Sequence, residues 1–203
     1  MAIFVENIYE MNGSVIELSR SYAILWVFWD KENNKKYSQV IKDHPDFFGA
    51  IADSLSLGFC VITYRLFQDV ENVLSLPCLI NYLSSIDQKL KDQLTSKIDA
   101  QRPLLKKYII FRHKIYAHRD KSKRPWEVFG TQSKSRVKSE MKVIVNLAQE
   151  IIGALAKAAG IEEGNLNELI ENLPRREEYA GINAVQVLEA LDKLRLSFIT
   201  KAK

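Results

Sequence analysis

Apolar residues recur every three or four positions along almost all of this chain, a spacing that a helix can gather onto one face and a strand cannot. Alternating β-branched runs are few. Eight glycines and five prolines in 203 residues also leave little punctuation for a sheet with tight turns. The expected fold is all-α: one domain over residues 1–203, a single helical bundle of about six to eight helices. No internal repeat, low-complexity tract or interdomain linker interrupts it.

Local signals place the elements. A first helix is expected from about Phe4 to Asp30, then a polar break at Lys31–Lys36. Pro45 suits the first turn of a second helix capped near Asp43 or His44. That helix carries Phe47, Phe48, Ile51, Leu55, Phe59, Ile62 and Leu66, and ends near Gln68. A shorter one follows Ser75, around Pro77 to Leu83. Ser85-Ile86-Asp87-Gln88 has capping-box form and should open another helix. Pro103 is expected to start a further helix, and a loop from about Asp120 to Lys134 to follow it. A long helix from Ser135 to Ala159 would stop at Gly160. The tail reads as a short helix near Leu166–Asn172, a break at Pro174 and a last helix from Asn183 to Phe198.

Charge is unevenly spread. The net charge is +4, yet Lys106–Lys138 holds eleven Lys or Arg against Asp120 and Glu127, so that segment is +9 and the remainder −5. A basic block on a mildly acidic body fits a local polyanion site; the alternative is a solvated charged loop. Cys60 and Cys78 lack metal-ligand spacing and are expected to be buried and reduced. The most apolar run, Tyr22–Trp29, is eight residues, and the N-terminus lacks a signal-peptide pattern. A cytoplasmic protein with no membrane association is expected. A Gly-rich phosphate loop, an HExxH, a Ser/His/Asp set and a CxxC pair are all missing from the sequence, as is a carboxylate cluster of two-metal type.

Chemistry concentrates in Arg112-His113-Lys114-Ile115-Tyr116-Ala117-His118-Arg119-Asp120, which holds two of the three histidines. Histidine exchanges protons near neutral pH, and arginine offers a planar donor fork to phosphate oxygens. On a helix, Leu105, Tyr108, Ile109, Ile115 and Tyr116 share a face with Arg112 among them. Such an arginine either pairs with a carboxylate or lines a cleft. His118 lies about 240° further round, so Arg112 and His118 meet only if the helix loosens, the Arg side chain wraps around, or a second copy faces the first. His118 also suits the end of a helix, where the dipole favours a cation.

This nonapeptide resembles the signature of HEPN domains, all-helical proteins that include many bacterial defence and toxin ribonucleases. Their hallmark is an Arg, a polar follower, then His after four to six residues. Here five residues separate Arg112 from His118, and the follower is His113. With Lys114, Ala117 and Asp120 the pattern is most similar to the abortive-infection branch, over about residues 40 to 195 with the 4–30 helix packed alongside. The resemblance implies a homodimeric, metal-independent endoribonuclease that needs no cofactor. Arg112 would bind phosphate, His118 would act as acid/base and His113 would assist, with Asp120 and Tyr116 in support. Lys114, Arg119, Lys121, Lys123 and Arg124 would contact RNA. An antitoxin or regulatory partner fits such a role, as does a non-catalytic binding module of the same fold. Some toxin relatives carry a Tyr two residues after the His; here it is Asp120, so their nucleotidylation control does not transfer.

In the loop, Trp126 and Phe129 are expected to pin the chain to the bundle, with the cations facing RNA. Lys134, Arg136 and Lys138 crowd a helix start, where cations oppose the dipole and an anion would be welcome. Trp26 and Trp29 are expected in the core or a dimer interface, and His44 as a cap.

Overall fold

A 28-residue helix, α1 (Ala2–Trp29), is the axis on which the other long helices are laid. Its buried Phe4, Ile8, Met11, Val15, Leu18, Tyr22 and Leu25 repeat at three- and four-residue steps and so form one continuous apolar face. The computed structural model describes residues 2–71, 73–83, 87–112, 134–161 and 172–201. Among these are eight helices: α2 (Lys31–Lys36), α3 (Ser38–Asp43), α4 (Pro45–Phe67), α5 (Leu76–Tyr82), α6 (Gln88–Phe111), α7 (Lys134–Ala158) and α8 (Asn172–Lys201) follow α1. Helices α4, α7 and α8 all lie against α1, and α6 lies against α4. The all-α bundle expected from the periodicity is the fold observed.

Most of the apolar side chains join one core, in which α1 contributes Leu18 and Leu25, α4 Phe59 and Leu66, α6 Tyr108, and α7 Ile144 and Ile151. Each fully buried side chain of this size contributes about 1.5–3 kcal/mol over an exposed one. Trp26 is buried and meets Trp29 edge-on at 5.1 Å, so this pair belongs to the core. A smaller cluster of Tyr37, Val40, Phe48 and Leu188 closes α3 and α4 against α8. One polar link crosses the core: Gln149 donates to the Ser19 hydroxyl at 3.1 Å, and that hydroxyl donates to the Val15 carbonyl at 2.9 Å.

Several boundaries differ from the sequence expectation. Lys31–Lys36 is not a break, because the Asp30 carboxylate accepts from the Glu32 and Asn33 amides and so caps a short helix there. His44 precedes α4 but its side chain makes no cap hydrogen bond. Asp87, accepting from the Leu90 amide, caps α6, while Ser85 lies outside the described residues. Pro103 sits inside α6 rather than starting it. Pro174 is no break: it lies within α8, which is described from Asn172 and runs on without interruption past Asn183. The short helix near Leu166 falls mostly outside the described residues.

Other expectations hold. Ser75 accepts from the Cys78 amide and starts α5. Gly160, at φ +67°, ends α7 as anticipated: its amide donates to the Lys157 carbonyl and the Ile161 amide to the Ala156 carbonyl, the paired bonds of a Schellman close. Cys60 is buried, whereas Cys78 is only half-buried and lines an open cleft.

One difference concerns α4. No apolar run in the sequence exceeds the eight residues of Tyr22–Trp29, yet α4 averages a mean hydropathy of 1.5 over an 18-residue window, enough by length and composition to cross a membrane. Only 28% of that window is buried in the bundle. Phe47 and Val61 stand 56% and 40% exposed on the open side of the helix.

Candidate functional site

Helix α6 carries the chemistry to the edge of the bundle. Its buried Leu94, Ile98, Leu105, Tyr108 and Phe111 hold it against α4 and α7. Arg112 follows directly, in helical conformation (φ −53°, ψ −48°), with its amide shared between the Tyr108 and Ile109 carbonyls. The backbone therefore fixes where the guanidinium leaves the core.

That guanidinium lies over the ring of Tyr64, with Cζ 4.0 Å from the ring centroid. Tyr64 stands near the C-terminal end of α4, so this contact joins α4 to the end of α6. Arg112 is half-buried, and among the described residues it pairs with no carboxylate. Among the described residues, then, Arg112 meets an aromatic ring rather than a carboxylate. A cation held over an aromatic ring keeps its charge and its N–H donors, which an anion can use.

Two carboxylates of α7 reach α6 beneath this edge: Glu150, which pairs with Lys97, and Glu140. Glu140 accepts from the Lys107 ammonium through Oε2 and from Arg136 Nε, at 3.3 Å, through Oε1. Tyr108 packs edge-on against Phe59 at 5.7 Å, and burial, with the Glu140 charge added, pushes its phenol far above the usual range. Two cations of the basic block are thus neutralised within the fold, and a third, Lys138, lies 5.4 Å from the Trp26 ring centroid. Crowding of Arg136 and Lys138 at the start of α7 is answered by Glu140 and Trp26, so these two cations do not require a bound anion. The Lys134 side chain is outside the description.

Of the other described cations of the block, Lys106 is exposed and Arg112 half-buried over Tyr64. Beside them, between the end of α4 and the outer face of α6, runs a cleft of about 310 Å³. Tyr64 and Ile109 form the wall nearest Arg112. His113, Lys114, Tyr116, His118, Arg119, Asp120, Lys121, Lys123 and Arg124 lie outside the described residues, as do Trp126 and Phe129. The reading of the sequence did not anticipate Tyr64. It lies far from the motif in the chain, with α5 and the length of α6 between them, and it sits in an ordinary apolar helix pattern, so no local signal marks it.

Comparison with known proteins agrees with the geometry at the level of the family. No curated protein and no solved structure matches the chain. The HEPN_AbiU2 family, described as AbiU2, matches residues 6–173, a span that takes in α1 to α7, the Arg112–Asp120 stretch and the first residues of α8. That match covers most of the chain, and the all-helical bundle around α6 is the fold it calls for; the chain belongs to the HEPN_AbiU2 family, an abortive-infection branch of the HEPN proteins.

Proposed function

We propose that this chain is a metal-independent endoribonuclease that acts as a homodimer in bacterial defence, in the cytoplasm. The observation that carries the reading is Arg112: a half-buried guanidinium held over the Tyr64 ring, with no carboxylate partner among the described residues, at the start of an Arg-His-Lys…His-x-Asp stretch. Family membership supports it further.

RNA supplies its own nucleophile, so the protein needs only to move protons and stabilise charge. A histidine takes the 2′-hydroxyl proton, the 2′-oxygen bonds to phosphorus, and the P–O5′ bond breaks as that oxygen receives a proton. The products are a 2′,3′-cyclic phosphate and a 5′-hydroxyl. In this scheme Arg112 binds the phosphate and its developing charge, and His118 is the acid/base, contributing about 10²–10⁴ in rate. His113 assists, while Asp120 and Tyr116 hold the histidines in place. Lys114, Arg119, Lys121, Lys123 and Arg124 hold the flanking RNA. On an ideal helix Arg112 and His118 would fall on different faces, and a second copy related by two-fold symmetry would bring both sets to one seam. The exposed apolar side of α4, with Phe47 and Val61, offers a face for that contact, and Tyr64 ties α4 to Arg112. An antitoxin-like partner would keep such an enzyme silent.

The stacking of Arg112 also favours a second reading, a binding module in which that cation is structural. Cleavage of a labelled single-stranded RNA pool in EDTA, by wild type and His118→Ala, separates the two. The ribonuclease reading expects cleavage to cyclic phosphates that is lost in the variant. Salt-sensitive RNA binding with no cleavage supports the module, and equal cleavage by both proteins removes the motif from the mechanism.

A further inference from the structure

We propose that the cleft beside Arg112 is a base-binding subsite that selects a nucleotide with an exocyclic amino group over uracil. The inference rests on the ribonuclease reading and adds to it where the neighbouring base lies and what reads it.

The cleft and the phosphate site share a wall. Tyr64 carries the Arg112 guanidinium at 4.0 Å and also lines the cleft, so a phosphate on Arg112 and a base in the cleft stand one side chain apart. A volume of about 310 Å³ is at the small end for a ligand site, which runs from about 300 Å³ upward, and suits one nucleoside rather than a longer segment. The inner lining is apolar: Phe67 is buried, and Leu105 and Ile109 of α6 face it across the gap. Such walls accept the flat face of any base and give no sequence preference.

Preference comes from the rim. Lys106 lines the cleft and is in no ion pair among the described residues. It lies six residues before Arg112, about 9 Å of helical rise and about 240° round the helix, so the cleft side of α6 carries a cation of its own. Arg102, at the far end, is already held by Asp99 through bonds of 3.0 and 2.7 Å and has less to offer an anion. Opposite the cations stand Gln68 and Asp69, on the chain leaving α4. The Asp69 carboxylate accepts hydrogen bonds and repels phosphate, so it favours the donor edge of a base. Cytosine presents an amino group where uracil presents a carbonyl, and an acidic side chain accepts from the first and is opposed by the second. The Gln68 amide can offer a donor or an acceptor beside it.

The test uses 2′-O-methyl oligonucleotides with one cleavable ribonucleotide, flanked on either side by cytosine or uracil, incubated in EDTA with the full chain. Wild type, Asp69→Asn and Gln68→Ala are compared, with thermal melting to check that each is folded. The proposal expects wild type to cleave the cytosine-flanked site at least about ten-fold faster on one side, with that ratio collapsing towards one in Asp69→Asn. Cleavage by wild type with no cytosine preference, or with a preference that both variants retain, overturns the subsite and leaves the ribonuclease standing. Cleavage of none of the substrates by wild type overturns the ribonuclease reading, and the subsite falls with it.

Discussion

At the scale of single residues, Arg112 and Tyr64 matter most. A cation over an aromatic ring contributes about 0.5–1 kcal/mol when exposed and roughly 2 kcal/mol when desolvated, and the half-buried Arg112 falls between these. Arg112→Lys keeps the charge but loses the planar fork and the stack, so RNA cleavage should fall on the order of 10²-fold with little loss of stability. Tyr64→Leu should lower cleavage roughly ten-fold while costing about 1 kcal/mol of stability. Steady-state cleavage paired with thermal melts checks both; a fully active Arg112→Lys would remove Arg112 from phosphate binding. Cys60 gives a pH prediction. Burial raises its thiol from 9.0 to about 12. The folded chain therefore keeps a proton that the unfolded chain gives up above pH 9. Its share of stability is intact below that pH and drains away between pH 9 and about 12. At pH 8 in native buffer, iodoacetamide should label Cys78 first, with Cys60 reacting only on denaturation. Mass spectrometry of the tryptic peptides reads the order, and equal rates would mean that the core opens around α4.

Elements were legible where their signals are local. Ser75, Pro45 and Gly160 each act within one turn, through a cap, a preset φ or a left-handed backbone, and each falls where the sequence placed it. Proline misled because its local preference met a longer-range gain. Leu94 and Ile98 before Pro103, and Leu105 and Tyr108 after it, form one buried stripe, and ending the helix at Pro103 would expose half of it. Pro103 itself is exposed, so water can satisfy the carbonyl that its ring leaves unbonded. An interior proline costs about 3 kcal/mol, partly offset by the roughly 0.4–1 kcal/mol it takes from the freedom of the unfolded chain. Pro103→Ala should accordingly stabilise the protein by about 2 kcal/mol in urea titration, with an unchanged slope. Destabilisation there would mean that a bend at Pro103 is needed to aim Arg112.

For the whole molecule, assembly is the question that touches function. Helix α4 is covered by α1 and α6 on two sides, yet its open side keeps Phe47 and Val61 in solvent. If the proposed two-fold contact uses this face, a charge at Val61 would have to be desolvated in it, so Val61→Asp should leave a folded monomer that no longer cleaves RNA. Sedimentation velocity and circular dichroism of the two proteins test this together. A wild type that is monomeric at catalytic concentrations would instead require the facing groups to come from one chain.

Periodicity, turn residues and the Arg112–Asp120 stretch were enough to establish an all-α HEPN bundle and most helix ends among the described residues. Each rests on neighbours within a few positions, and such short-range constraints are written in the order of the residues. What became visible only in three dimensions came from residues far apart in the chain. Tyr64 of α4 lies under Arg112, Glu140 of α7 neutralises Lys107 and Arg136, and Gln68 and Asp69 face Lys106 across a cleft. No periodicity encodes those pairings. They follow from how α1 orders the helices around itself, because burying each apolar face at once leaves few arrangements and each arrangement chooses the polar neighbours.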